Sequence, residues 1–193
     1  MKKSKAETAE TRRRIIATAV AEFRRKGIHE TSIADVMEAA GLTHGAFYRH
    51  FASKDHLVAE TCRECTLASV EDQLTSVSPG DHERAEAIVE SYLSTAHRDD
   101  MATGCTFAAL GSELARACEQ TRAAASARVV GLVDAISKRF DEMPADVAKA
   151  RAILAVSAMV GAVTMSRIMT DPAISDAILD DTRKELARLM QEG

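Results

Sequence analysis

Thr43, His44, Tyr48, Arg49, His50 and Lys54 crowd one short stretch of the chain. Their hydroxyl, imidazole, phenol, guanidinium and ammonium groups are the kinds that hydrogen-bond base edges and phosphate oxygens in a DNA groove. A second group, His97, Asp99, Asp100 and Cys105, has the residue types of a helical enzyme. Nothing in its spacing supplies a nucleophile, a base and an orienter, and a polar linker accounts for it better, so no catalytic activity is expected. Cysteine offers a third chemistry. Cys62 and Cys65 make a lone C-x-x-C with no second pair and no His pair at ligand spacing, so no metal or other cofactor is expected. Cys118, near a helix end, reads as structural. Cys105 follows Thr103-Gly104 at an expected helix start, where the dipole lowers a thiol's pKa. It is either a thiol that senses oxidants or electrophiles, or a small core residue.

These residues need elements to hold them. Ile33, Val36, Met37 and Ala40 recur at i, i+3, i+4 and i+7, the apolar stripe of a short amphipathic helix. Ser32 with Asp35 resembles a capping box at its start, with Thr31 as an alternative cap. Gly41 supplies the turn. A second short helix then turns Ala46, Phe47 and Phe51 inward and leaves Thr43, His44, Tyr48, Arg49 and His50 outward. Two short helices about a glycine turn, the second polar, aromatic and basic outside, describe a helix-turn-helix that reads the major groove. A longer helix from Thr11, apolar at Ile16, Ala19, Val20 and Phe23 and ended by Gly27, closes a three-helix unit over residues 1–55. Arg24, Arg25 and Lys26 complement its negative end, with phosphate contact as an alternative use.

Apolar residues are 46% of the 193 and charged residues 28%, with three prolines and nine glycines, so a folded chain that is helical nearly throughout is expected. The net charge of −4 hides a division. The first 60 residues hold 11 Lys and Arg against 8 Asp and Glu, while the remainder is strongly acidic. A basic head on an acidic body grips phosphate at one end only. No apolar signal segment follows the basic N-terminus. The longest uncharged run, Ala152 to Ser166, is bounded by Arg151 and Arg167 and is too short to span a bilayer. A cytoplasmic protein with reduced thiols and no membrane association is expected.

Beyond the head, residues 56–193 read as a larger helical body, for about nine helices in an all-α chain. Ser53 caps a stem running to about residue 77, followed by a turn at 78–81. Further helices are expected over 83–97, 105–117, 120–142, 144–169 and 174–191, with Pro144 opening one and Pro172 preceding the last. The last two are apolar, and Ala155, Ser157, Ala158, Gly161 and Ala162 permit close approach, either as a four-helix homodimer interface or as an ordinary buried core.

The run from Thr11 to about Glu60 resembles the TetR family of bacterial transcriptional repressors. The resemblance rests on Ile15-Ile16…Ala19…Phe23…Gly27, on Thr31-Ser32-Ile33-Ala34-Asp35-Val36, and above all on the G-x-x-Y-x-H-F-x-x-K run from Gly45 to Lys54. It implies that Thr43, His44, Gly45 and Ala46 open a recognition helix, with His44 and Arg49 bonding base edges. Tyr48, His50 and Lys54 resemble the family's phosphate clamps, aided by Thr31 and Ser32 at a helix start. It further implies a homodimer on a palindromic double-stranded operator and a body that encloses an unknown small-molecule inducer. Tyr92, Met101, Cys105, Phe107, Leu110, Leu114, Val133, Met159, Val163 and Met165 are the candidate lining, with ordinary core packing as the alternative.

Overall fold

The computed structural model describes residues 5–64, 82–140 and 143–191. Among them are nine α-helices and one 3-10 helix, and no strand. The head comprises α1 (Lys5–Lys26), α2 (Ile33–Ala39) and the 3-10 helix (His44–Arg49). The stem begins as α3 (Lys54–Glu64). The body comprises α4 (His82–Tyr92), α5 (Thr95–Asp99), α6 (Thr106–Leu114), α7 (Glu119–Ser137), α8 (Ala145–Ile168) and α9 (Pro172–Gln191).

Local chemistry explains the ends of α2. Ser32 and Asp35 form the capping box, the Ser32 Oγ accepting from Asp35 N and the Asp35 carboxylate accepting from Ser32 N. At the other end Leu42 N donates to Met37 O and Gly41 N to Glu38 O, both at 2.8 Å, with Gly41 at φ +66°. That is a Schellman turn, and the positive φ is what selects glycine. Gly27 ends α1 in the same left-handed region, at φ +88°. Ser53 caps the stem as expected, accepting from His56 N at 3.0 Å.

Five expected elements differ, one of them the helix expected over 120–142, which ends at Ser137. α1 begins at Lys5 rather than Thr11, because residues 5–10 are helix formers and Thr11 Oγ1 donates back to Glu7 O within the helix. The reading element is a 3-10 helix, not an α-helix. Six residues containing a glycine give too few α-type bonds to offset nucleation, and Phe47 and Phe51 fix its geometry from below. The helix expected over 83–97 is two, since Ser94 stops α4 and caps α5 by accepting from His97 N. The helix at 105–117 ends already at Leu114. The far part of the stem and the turn at 78–81 lie outside the described residues.

Two apolar clusters fill the molecule. One holds Ile15, Ile16, Ala19, Phe23, Val36, Met37, Phe47, Phe51, Leu57 and Val58, and is shared with Leu110, Leu114, Ala124 and Ala125 of the body. The other lies among α4, α7, α8 and α9, around Leu93, Leu132, Met159, Val163 and Leu179. Phe107 touches both. The head is therefore seated on α6 through α1, while the stem α3 packs on α7. By length and composition α8 passes as a membrane span, but it packs between α7 and α9.

Candidate nucleic-acid interface

The reading face is built from the 3-10 helix outward. Phe47 and Phe51 are buried beneath it with rings tilted against each other, and each such ring anchors by roughly 3 kcal/mol or more. The remaining side chains are thereby left outside. Thr43 is the N-cap, yet its side chain makes no capping hydrogen bond, so its hydroxyl is available. His44, Gly45 and Arg49 are exposed, and nothing approaches within 4 Å of a Cβ built on Gly45. Tyr48 is 61% exposed, with its ring edge-on to Phe47 and His44. Ala46 and His50 are half-buried.

Behind this face stands the start of α2. The Ser32 hydroxyl both accepts from Asp35 N and donates to the Asp35 carboxylate, so it serves the cap first. These bonds, with Lys26 and Lys54 nearby, hold the Asp35 carboxyl below the usual range. Lys54 Nζ rests 3.4 Å from His29 O. Thr31 departs from expectation: it is 0% exposed and its Oγ1 donates to Gly27 O at 2.7 Å, which turns the hydroxyl inward as a brace for the α1–α2 turn. Its side chain is not placed to touch phosphate.

Comparison with known proteins fits this geometry. Residues 15–61 match the family described as bacterial regulatory proteins, tetR family. Residues 82–180, more than half the chain, match the C-terminal domain of LmrA/YxaF-like transcriptional regulators. The chain belongs to the TetR family. It is a DNA-binding transcriptional regulator of that family. An HTH-type transcriptional regulator of Mycobacterium tuberculosis, Rv0196, is 27% identical over 192 residues, 94% of this chain and 96% of its own. The probable acrEF/envCD operon repressor of Escherichia coli K12 is 42% identical over 59 residues, 31% of this chain and 27% of its own. Among solved structures, reduced E. coli NemR has a TM-score of 0.77 at 17% identity, covering 92% of this chain and 95% of its own. A TetR regulator of Chloroflexus aurantiacus has a TM-score of 0.76 at 24% identity, covering 97% of both chains. These two likenesses concern the fold.

The TetR-type body is joined to its head by two contacts that sequence reasoning missed. Arg24, expected outside as a helix-end charge, is buried: its Nε donates to Thr106 Oγ1 at 2.8 Å and its Nη1 to Ala102 O at 3.2 Å. The Glu113 carboxylate accepts from Ile28 N at 3.2 Å and His29 N at 2.9 Å, capping the turn between α1 and α2 from below. Both ends of α6 are thus tied to the head. The only sequence signal was a polar residue at each end of an otherwise apolar helix.

The candidate ligand residues do not share one cavity. Tyr92, Cys105, Val133, Met159 and Val163 lie in the body cluster. Leu110 and Leu114 belong instead to the cluster under the head, because α6 turns that edge toward α1. Met101 and Met165 are exposed, at 42% and 54%, and correct the expectation of buried lining. Phe107 and Leu114 border an open groove of about 600 Å3 between α6 and α7.

Beside Tyr92 is a polar knot. Cys105 N donates to His97 Nε2 at 2.9 Å, so His97 Nδ1 carries the proton and donates to Tyr92 O at 2.6 Å. Burial lowers the pKa of His97. Arg167 donates from Nε to Arg98 O and from Nη2 to His97 O. Gly104 threads this knot: a Cβ there would meet Asp100 O at 2.7 Å and Arg167 Nη2 at 2.9 Å. Asp99 pairs with Arg98 and Asp100 with Thr103, so the acids of the stretch that resembled an enzyme's are structural partners. Cys118, read as structural, is exposed at the N-cap of α7, and its bond to Thr121 lowers its pKa.

Proposed function

We propose that this TetR-family protein is a cytoplasmic repressor that binds a palindromic operator as a homodimer and is released by a small-molecule inducer. The observation that carries the reading is the exposed set Thr43, His44, Tyr48 and Arg49 on a helix anchored by two buried phenylalanines. Residues 1–55 form the reading unit and 56–193 the ligand and dimerisation unit. His44 and Arg49 bond base edges, Gly45 and Ala46 admit the backbone, and Tyr48, His50, Lys54 and the start of α2 at Ser32 hold phosphate. Repression is supported by the E. coli relative, a probable operon repressor.

The dimer is supported by α8, whose outer face exposes Val147, Ile153, Leu154, Met165 and Ile168. Leu154 and Ala158 border a groove of about 530 Å3 with Leu186 and Leu189 of α9. A second copy of these two helices covers it as a four-helix bundle.

Selection of bound sequences from a random DNA library at fixed salt tests the reading, with Tyr48→Ala alongside. A palindrome with half-sites about one helical turn or a multiple apart, enriched by the wild type and lost in the variant, is the expected result. No enrichment by folded, dimeric protein freed of bound small molecules overturns it.

A second reading is a thiol-responsive repressor acting through Cys105. It is favoured by the place of Cys105 at the N-cap of α6 within the field of Arg167. Oxidant- or electrophile-triggered release from DNA that Cys105→Ser abolishes is its test.

A further inference from the structure

The body contains two buried polar atoms with no hydrogen-bond partner among the described residues that lie at one place: Tyr92 Oη and Arg167 Nη1. A buried donor left unmade costs about 1–3 kcal/mol, more for a charged group, so such a pair calls for an explanation. Tyr92 is 4% exposed, and burial, then the neighbouring Cys105 thiol by its charge and by a contact at the margin of hydrogen bonding, raise its pKa well above that of an ordinary tyrosine. It is a neutral phenol and a proton donor. The Arg167 guanidinium uses Nε and Nη2 on the carbonyls of Arg98 and His97, which fixes its plane and leaves Nη1 free.

The groups around these atoms are donors. Cys105 contributes a thiol at the N-cap of the nine-residue α6, whose first N–H groups have no acceptor inside the helix. The nearest carboxylates are engaged elsewhere, Asp99 with Arg98 and Asp100 with Thr103. His97 cannot serve as acceptor, since Nε2 takes Cys105 N–H and Nδ1 donates. A site that offers a phenol, a guanidinium and a helix N-terminus, with the nearby carboxylates of Asp99 and Asp100 already hydrogen-bonded to Arg98 and Thr103, is complementary to a compact anion. Its surroundings are apolar: Leu93, Met159 and Val163 belong to the cluster that includes Tyr92 and Cys105. Arg167 also lines a groove of about 380 Å3 with Arg98, Asp99, Met101, Ser166 and Met169.

We infer that Tyr92 Oη and Arg167 Nη1, at the Cys105 end of α6, form the anion-accepting end of the inducer site, taking a carboxylate carried on an apolar body. The inference rests on the ligand-responsive reading above and names its ligand class. It also places the ligand at the joint. Arg167 holds the 97–98 carbonyls, His97 holds Cys105 N, and the same segment presents Ala102 O and Thr106 Oγ1 to Arg24 of the head. An anion on Arg167 Nη1 therefore binds the same guanidinium whose Nε and Nη2 fix the segment on which the head rests.

Calorimetric titration of the full chain with hexanoate and phenylacetate, each against its neutral amide, tests the site. The chain has no tryptophan and two tyrosines, so in a Tyr48→Phe background the emission of Tyr92 gives an independent readout. Saturable carboxylate binding at least tenfold tighter than that of the amide is expected. Arg167→Gln and Tyr92→Phe should each weaken it tenfold or more, toward the affinity of the amide; Tyr92→Phe removes one oxygen and preserves the packing. Equal binding of acid and amide, no binding of either, or carboxylate binding that survives both substitutions overturns the inference. Release of operator DNA is scored separately. Carboxylate binding with the stated dependence but no release leaves the subsite standing and overturns the ligand-release reading.

Discussion

Arg24 and Thr106 are 82 residues apart in sequence and 2.8 Å apart in space, guanidinium Nε to hydroxyl Oγ1. The bond joins the last turn of the head's first helix to the first residue of α6, and a second, from Arg24 to Ala102 O, holds the loop before it. A charge near a helix end has here been turned inward to couple two units.

Arg24→Ala should cost about 2–3 kcal/mol, the range for losing charge-assisted hydrogen bonds that leave Thr106 and Ala102 under-satisfied. Denaturant unfolding measures that loss. Operator affinity without ligand should change less than the ligand's power to release DNA, since the reading face is untouched while the link is cut. A variant released as fully as wild type would remove Arg24 from the coupling.

Glu113→Ala removes the acceptor of two backbone N–H groups in the α1–α2 turn. The amides of Ile28 and His29 should then exchange with solvent at least tenfold faster, while those inside α2, held by its own capping box and Schellman turn, keep their protection. Hydrogen exchange resolved by NMR distinguishes the two sets.

His97 gives a pH dependence. Its pKa is lowered in the folded state by burial, then by the Arg167 and Arg24 charges, against the raising effect of the Tyr92 carbonyl and Asp100. The folded protein therefore binds fewer protons than the unfolded chain between the depressed value and the ordinary one near 6.5. The stability tied to neutral His97 is fully present above about pH 6.5 and is lost as pH falls through the folded value. Physically, a proton on Nε2 would face Cys105 N–H. Thermal midpoints from pH 7.5 to 5 should fall more steeply for wild type than for His97→Gln.

Leu154→Glu places a charge on the exposed outer face of α8, where Leu154 is 56% exposed. Cost to the monomer fold should be within about 0.5 kcal/mol, as at other surface positions. Sedimentation should show a dimer converted to monomer, with operator affinity falling as the second half-site is lost. A dimeric variant would place the interface elsewhere.

The head was legible in the sequence because its instructions are local. Ser32 and Asp35 stand at capping distance, Gly41 at the turn, and Phe47 and Phe51 at inward positions. The 3-10 form of the reading element was hidden because helix type there depends on how Phe47 and Phe51 seat in a cluster with Ile15 and Ile16, some thirty residues away in sequence. The joint was illegible for the same reason. Nothing near Arg24 shows that it meets Thr106, and nothing near Glu113 points to Ile28. Leu110 and Leu114 were assigned to a ligand pocket because apolar spacing tells that a side is buried, not which neighbour buries it. Which of Cys105 and Cys118 faces water was hidden for a similar reason: both precede helices, and only packing buries Cys105 and leaves Cys118 exposed.

The division of labour within the 3-10 helix bears on how such a regulator diverges. Its inward residues secure the fold and its outward residues contribute little to it, so exchanges at Thr43, His44 or Arg49 are nearly neutral for folding while altering which sequence is preferred. Operator choice can drift after gene duplication without a compensating change in the core. The tie between head and body has less freedom, because Arg24 and Thr106 bond each other across it and a change in either breaks that bond, so descendants can change the operator they prefer more readily than this joint.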